Sequence, residues 1–210
     1  MNMTIDFVSE IASFLLKSNA LQFGVFKLAS GNETSYYIDL RILPSFPKHF
    51  RLAIDALKDK LTKDIGLDFD ALGSVPTSGL IFGSALAYEV EKPLIYVRKD
   101  SKAHGTSKMV EGYLKPGAKV ILVNDVITTG MSMSNAIEVI RANGGIVENV
   151  LAIVNRLEGA QKKLKKMNIK LTSVTTIKDI VSILHKKALI DDNTLESVIK
   201  QKMDDELEIN

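Results

Sequence analysis

Residues 120–132, VILVNDVITTGMS, decide how the chain folds. Val120, Ile121, Leu122 and Val123 are four apolar residues without alternation, which suits a strand covered on both faces in the middle of a parallel sheet. Asn124 and Asp125 fall at its carboxyl end, followed by Val126 and Ile127. Thr128, Thr129, Gly130, Met131 and Ser132 then bring hydroxyls, a glycine and free backbone N–H groups, the material for a concave anion site where a helix begins. Ligands of open α/β sheets sit beyond the carboxyl ends of the strands, so a phosphorylated ligand is expected here. An ordinary strand-to-helix turn capped by Ser or Thr is the commoner origin of a Thr-Gly-Ser cluster. An acid, hydroxyls and glycine together, directly after a buried strand, weigh against that plain origin.

Outward from this stretch the same pattern repeats. Downstream, residues 133–143 read as a helix with Ala136, Ile137, Val139 and Ile140 inward, ended by Gly144 and Gly145. IVENVLAIVNRLEG supplies the next strand and leaves Asn155 and Arg156 at its carboxyl end. Arg156 could fork onto a ligand carboxylate or carbonyl, or simply pair with Glu158 at the surface. Upstream, ALGSVPTSGLIFGSALAYEV gives a short strand through Leu72 and Val75, a turn, and a helix from Leu80 to about Val90. Thr77, Ser78 and Gly79 in that turn repeat the hydroxyl-and-glycine chemistry, so two loops on parallel strands could hold two phosphate groups in one crevice. Pro93 precedes the strand LIYV, after which RKDSKAHGTSKMVEG carries Arg98, Lys99, Lys102, His104 and Lys108 with no apolar periodicity before Met109. A charged stretch is usually a solvated loop. Leaving a strand on the ligand side, beside two anion loops, it reads instead as a cationic lid.

Towards the N-terminus, Thr4 is expected to cap a helix with Ile5, Val8, Ile11, Ala12, Leu15 and Leu16 on one face. FGVFKLASGNETSYYIDLR reads as a β-hairpin around Ser30, Gly31 and Asn32. Two strands alone bury too little to be stable, so the hairpin should rest over the sheet's carboxyl edge as a hood. Its Lys27, Tyr36, Tyr37 and Arg41 could serve a site, although packing and solubility are the commoner uses of such residues. A helix from Ser45 and Pro47 carries Phe50, Ile54, Leu57 and Leu61 ahead of Gly66. Beyond Gln161, Leu164 and Met167 mark a helix, Thr176 and Asp179 form a capping box, and Thr194 should cap a last helix with Leu195, Val198 and Ile199 before a frayed tail DDELEIN.

Strands alternating with helices from about Leu67 to Arg156 argue an α/β fold with a doubly wound, mainly parallel sheet flanked by helices, and an N-terminal β-hairpin hood. The expectation is a single domain over 1–210, with hood (1–45), core (46–160) and C-terminal helical cap (161–210). Of the 210 residues 46% are hydrophobic and 25% charged, an ordinary globular composition, and a net charge of +2 argues against a broad nucleic-acid surface. With no Cys, disulfides, thiol nucleophiles and Cys metal sites are excluded. The first residues lack a basic n-region with a continuous apolar core, and no apolar run reaches membrane-span length, so a cytoplasmic protein with no membrane partner is expected. Neither a G-x-G-x-x-G nor a G-x-x-x-x-G-K-[ST] pattern occurs, which disfavours dinucleotide and P-loop sites. Asp125 is most simply an acceptor for two ligand hydroxyls, as a ribose offers, or a partner of Mg²⁺ through water.

VILVNDVITTGMS resembles the phosphoribosyl-pyrophosphate (PRPP) motif of type I phosphoribosyltransferases. YVRKDSKAHGTSKMVEG resembles the basic loop of the orotate phosphoribosyltransferases in particular; the hairpin and IVNRLEG are similar to that family's hairpin and orotate-binding stretch. The resemblance spans roughly Phe23 to Gly159 and implies the type I phosphoribosyltransferase fold. It implies a Mg²⁺-dependent glycosyl (pentosyl) transfer of ribosyl 5-phosphate from PRPP to N1 of orotate, giving orotidine 5′-monophosphate and pyrophosphate in pyrimidine biosynthesis. By the same resemblance Asp125 binds the ribose hydroxyls and residues from Thr128 to Ser132 cradle the 5′-phosphate. Thr77, Ser78 and Gly79 form a second pyrophosphate loop, and Thr128 and Arg156 contact orotate. Arg98, Lys99, Lys102 and His104 gather at the pyrophosphate, some reaching across a homodimer.

The catalytic candidates are Asp125 with Lys102 and His104, either of which could protonate the leaving group. Donors and cations fixed around that group stabilise the charge it develops, and a closing lid keeps water from the oxocarbenium-like centre. This chain departs from the family pattern at three places. Asn124 replaces one of two acids, Ala29 replaces a hairpin lysine and leaves Lys27 as its candidate substitute at orotate, and Ser78 stands where many members carry Lys. A phosphoribosyltransferase for another base, or a non-catalytic PRPP- or nucleotide-sensing regulator, are the competing readings. For the enzyme, Lys102→Ala should lower turnover far more than PRPP affinity, because lid contacts strengthen in the transition state. Steady-state kinetics check this, and a rise in KM at unchanged kcat would contradict it.

Overall fold

The structure, a computed structural model, describes residues 3–27, 33–99 and 109–208, with side chains between Phe7 and Lys200. Its centre is the strand read first. In chain order the elements begin with α1 (Met3–Lys17), the hairpin strands β1 (Leu21–Lys27) and β2 (Glu33–Ile38), a 3₁₀ turn (Leu40–Ser45) and α2 (Pro47–Lys60). Then come β3 (Ala71–Ser74), α3 (Ser78–Glu89), β4 (Leu94–Val97), β5 (Val110–Glu111), β6 (Lys119–Ile127) and α4 (Met131–Ala142). The chain continues through β7 (Ile146–Asn155), α5 (Ala160–Lys166), β8 (Lys170–Thr176), α6 (Ile177–Lys186) and α7 (Asp192–Glu208). The larger sheet has six strands in the order β5-β4-β3-β6-β7-β8, all parallel except the β5 edge.

Strand β6 is covered on both faces, as its uninterrupted apolar run requires. Ile121 and Val123, with Leu151 and Ile153 beside them, pack under α2, α3 and α6, while Val120, Leu122, Val150 and Ala152 pack under α4 and α5. The winding runs outward from β3 to β4, then crosses back to β6 and proceeds the other way through β7 and β8. Strand order therefore reverses between β3 and β6, and the loops after those two strands diverge to opposite faces and leave a crevice between them. These are the two loops rich in hydroxyls and glycine. The hairpin is the expected hood: its bulge lies between Phe23 and Phe26, and the hydroxyl of Tyr36 on β2 reaches Glu158 beyond β7 at 3.5 Å.

Several boundaries differ from the sequence reading. Thr4 lies inside α1, whose first residue is Met3. α3 and α4 each begin two residues earlier than expected, so Ser78, Gly79, Met131 and Ser132 belong to first helical turns. α7 starts at Asp192, with Asp191 Oδ1 accepting the Thr194 N–H at 2.9 Å, and its backbone stays helical to Glu208. The largest difference is β8: KLTSVTT falls within the stretch expected to be helical, yet it completes the sheet beside β7. Leu171 and Val174 are its only large apolar residues, and Thr172 and Thr175 are buried despite their hydroxyls, so the stretch carries little hydrophobic pattern. The Thr176–Asp179 capping box opens α6 as expected.

Gly79 is where α3 presses on β6. A Cβ there would lie 2.5 Å from Asn124 Oδ1 and 3.2 Å from the Val123 carbonyl. Gly79→Ala should destabilise the protein by roughly 1–3 kcal/mol through overpacking, measured as a lower urea midpoint at unchanged m. Combining it with Asn124→Ala removes the nearer obstacle, so the double variant should lose less than the sum of the singles.

Candidate functional site

Beyond the carboxyl ends of β3, β6 and β7, and beneath the hairpin, lies a cavity of about 360 Å³. Asp125 and Asn124 from β6 form its floor. Thr77 and Ser78 at the start of α3 form one wall, Thr128 and Ser132 the opposite one, and Lys99 and Arg156 stand at its margins. Tyr37, Asp39 and Arg41 close it from the hairpin side.

Asp125 is 6% exposed, and its Oδ1 accepts a hydrogen bond from Ser78 Oγ at 2.9 Å. The first turn of α3 and the end of β6 are thereby joined through side chains across the crevice. Burial raises the Asp125 pKa above the usual carboxylate value, against the Val126 backbone N–H and the Ser78 hydroxyl, which both favour the charged form. Asn124 Nδ2 donates to the Val126 carbonyl at 2.8 Å. That bond ties two residues near the end of β6 together, and an acid at position 124 could not make it while ionised.

The loop after β6 encloses a smaller recess of about 80 Å³, lined by Thr128, Thr129, Gly130, Met131 and Ser132 with Val126 and Ile127. Ser134 makes the first helical bond of α4, to the Gly130 carbonyl at 2.8 Å. The N–H groups of Met131, Ser132 and Met133 precede it and have no helical acceptor, so they can receive an anion. Gly130 adopts φ +77° and sits against α5, where a Cβ would come within 3.3 Å of Ala160. No side chain caps α3 or α4, which leaves Thr77 and Ser132 free to face a ligand.

Arg156 is 6% exposed and held by both the hairpin and its own strand. Nε donates to Tyr36 Oη at 3.0 Å and to Glu158 Oε1 at 2.9 Å, Nη2 donates to Thr34 Oγ1 at 3.3 Å, and the guanidinium lies 4.5 Å from the centre of the Tyr36 ring. Asn155 Oδ1 accepts the Leu157 N–H at 2.9 Å, which shapes the bend that brings Glu158 back. On the hairpin, Arg41 forks onto Asp39 at 2.7 and 2.6 Å and reaches Tyr37 Oη at 3.1 Å. The Arg41 guanidinium holds the Asp39 carboxyl below its ordinary pKa.

The remaining sequence candidates are dispersed. Arg98 pairs with Glu111 at 3.3 Å and lines a neighbouring pocket shared with Lys99. Lys27 is exposed at the end of β1 and is not among the residues lining the main cavity. Lys102 and His104, with Ala29, lie outside the described residues. Sequence reading missed Thr34 and Asp39, offered Tyr36 for a site without giving it a partner, and placed the Arg156–Glu158 pair at the surface, where the structure buries it. The alternation of β2 was the available signal, since Thr34, Tyr36 and Ile38 fall on one face.

No group of three or more His, Asp or Glu side chains among the described residues could cage a metal, and no described helix is long and apolar enough to cross a membrane. The profile of a phosphoribosyl transferase domain matches residues 46–187. An orotate phosphoribosyltransferase of Cenarchaeum symbiosum is 42% identical over 92% of this chain and 98% of its own. The crystal structure of orotate phosphoribosyltransferase from Aeropyrum pernix superposes with a TM-score of 0.75 at 39% identity, covering 86% of this chain and 99% of that one. Leishmania donovani UMP synthase gives a TM-score of 0.82 at 28% identity, covering 93% of this chain and 42% of the longer one. The matched profile takes in both anion loops, Asp125 and Arg156, and the chain belongs to the orotate phosphoribosyltransferase family of phosphoribosyltransferases.

Proposed function

We propose that the protein transfers the 5-phosphoribosyl group of PRPP to N1 of orotate, releasing pyrophosphate and orotidine 5′-monophosphate on the route to UMP. The observation that carries this reading is the union, in one cavity, of two N-terminal helix turns, a buried carboxylate on β6 bonded to Ser78, and a buried arginine at the third strand end. The recess before α4 suits the 5′-phosphate, whose oxygens would accept the N–H groups of Met131, Ser132 and Met133. Asp125 then faces the ribose hydroxyls. The start of α3, with Thr77 and Ser78, and Lys99 face the pyrophosphate, and Arg156 faces the orotate carboxylate.

As the C1–oxygen bond of PRPP breaks and the C1–N1 bond forms, negative charge gathers on pyrophosphate. Donors already fixed by the fold meet it without reorganising. Mg²⁺ fits such a site: one buried carboxylate, with one oxygen already bonded to Ser78, is how Mg²⁺ is commonly held when substrate oxygens and water supply most of its ligands. When bound it would neutralise pyrophosphate charge, with Asp125 its protein contact, through water. Lys102 and His104, by family resemblance, add cations and a proton donor at the leaving group. The same resemblance supports a cytoplasmic homodimer that shares the basic loop between subunits.

The carboxylate fork at Arg156 favours orotate over a base lacking that group. The experiment is incubation with PRPP, Mg²⁺ and each of orotate, uracil, adenine and hypoxanthine, with product followed by chromatography. Orotidine monophosphate is expected. Turnover of another base alone would overturn the substrate, and PRPP binding without turnover of any base would favour the sensing regulator.

Asp125→Asn separates stability from activity. Burial raises the folded-state pKa of Asp125, so its favourable contribution to stability is complete below the unfolded carboxylate pKa of 3.8 and is lost as pH rises through the folded value. At neutral pH the variant, free of that buried charge, should melt at higher temperature than the wild type, and the gap should close as pH falls towards 4. Turnover should drop roughly 10- to 100-fold, the worth of a hydrogen bond to a charged group. Thermal melts across pH and steady-state rates check the two halves separately.

A further inference from the structure

Arg156 has five N–H donors, and its surroundings divide them. The Nε edge is occupied: Tyr36 Oη and Glu158 Oε1 both accept from Nε, at 3.0 and 2.9 Å, and Thr34 Oγ1 accepts from Nη2 at 3.3 Å. Among the described residues Nη1 donates to nothing, and Arg156 lines the cavity. The Tyr36 ring lies against the guanidinium at 4.5 Å and is itself fully buried. Glu158 is 13% exposed at its side chain, so this pair is screened far less than a surface ion pair.

We propose that Tyr36 and Glu158 are positioning residues that clamp Arg156 by its Nε edge so that its outer edge meets the carboxylate of the pyrimidine substrate. The clamp rests on the reading of the cavity as an orotate site. It determines specificity, because an arginine held from behind offers one fork in one orientation, whereas a free one would follow any acceptor. It also couples the substrate to the hood. Thr34 and Tyr36 belong to β2, while Arg156 and Glu158 follow from β7, so the base can be gripped at this point only with the hairpin seated.

Two effects of Glu158 oppose each other, and that makes the clamp testable. As a simple counter-charge it would compete with an anionic substrate, and its removal would tighten orotate binding. As a clamp it orients Arg156, and its removal would weaken binding in spite of the added positive charge. Three full-length variants are required, each first confirmed by circular dichroism and melting to be folded: Glu158→Ala, Glu158→Gln, which keeps an acceptor for Nε, and Tyr36→Phe, which keeps the ring and loses the hydroxyl. Steady-state KM for orotate and for PRPP, and the orotate-to-uracil preference in kcat/KM, are measured for each.

The clamp predicts a five- to twentyfold rise in orotate KM for Glu158→Ala, substantial recovery in Glu158→Gln, and a three- to tenfold rise for Tyr36→Phe. PRPP KM should stay within twofold, and the preference for orotate over uracil should shrink in parallel. A lower or unchanged orotate KM in Glu158→Ala, or equal rises in both KM values, overturns it. If the wild type neither binds nor converts orotate, the substrate reading falls and the clamp with it. If the wild type converts orotate normally and the variants match it, the clamp alone falls.

Discussion

The hydrogen bond from Ser78 to Asp125 spans the place where the sheet reverses its winding, and the rest of the site is built around it. A carboxylate buried to 6% exposure would be costly without a donor at hand. The donor comes from the first turn of α3, which reaches it only because Gly79 lets that turn lie against the end of β6. One contact thus ties the first turn of α3 to the end of the strand that leads into α4, on the two sides of the crevice. The many members of the family that carry Lys at this place would have a longer, charged side chain in the same position. Here the short hydroxyl serves the carboxylate first.

Asn124 acquires a physical account in the same frame. In the sequence the position reads as a lost acid. Its amide donates to the Val126 carbonyl and so shapes the strand's exit into the anion loop. A carboxylate there would face that carbonyl and stand beside Asp125, adding repulsion where one buried charge is already resisted. The amide keeps the loop's geometry while leaving the floor of the site with a single ionisable group.

What the sequence made legible followed from period and from punctuation. The unbroken apolar run of β6, the glycines after α4 and the capping box of α6 are local signals, and each predicted its element. β8 was hidden because its hydroxyl-rich residues pack at a sheet edge whose apolar partner is β7, a relation no short window contains. That the two hydroxyl-and-glycine loops and Arg156 share one cavity was legible because all three sit at strand ends. The neighbours of Arg156 were not, since Thr34 and Tyr36 lie about 120 residues away along the chain and meet it only through the hood. Helix starts moved for a related reason: hydroxyls and glycine look like a turn in sequence, yet in three dimensions they are the uncapped first turns whose N–H groups the site requires.

The charges around the cavity show how such a site remains stable before any anion arrives. Arg41 rests on Asp39 at 2.6 Å, Arg156 on Glu158 at 2.9 Å and Arg98 on Glu111 at 3.3 Å. Each arginine comes with its own acid, so the described walls carry little uncompensated positive charge and the guanidinium planes are held in place. An arginine already tied on one edge loses less side-chain entropy when its other edge binds, so the geometry of recognition is settled in advance. Net attraction must then come from elsewhere. Among the described residues Lys99 lines the cavity with no carboxylate partner, and it stands at the entrance to the basic stretch that continues to Lys108. Backbone N–H groups and paired arginines can supply orientation, and Lys99 adds a positive charge at the margin that would attract a polyanion. Burying Asp125 and holding an anionic ligand would then be compatible in one crevice: the fixed arginines are neutralised locally, and Lys99 lies at the margin.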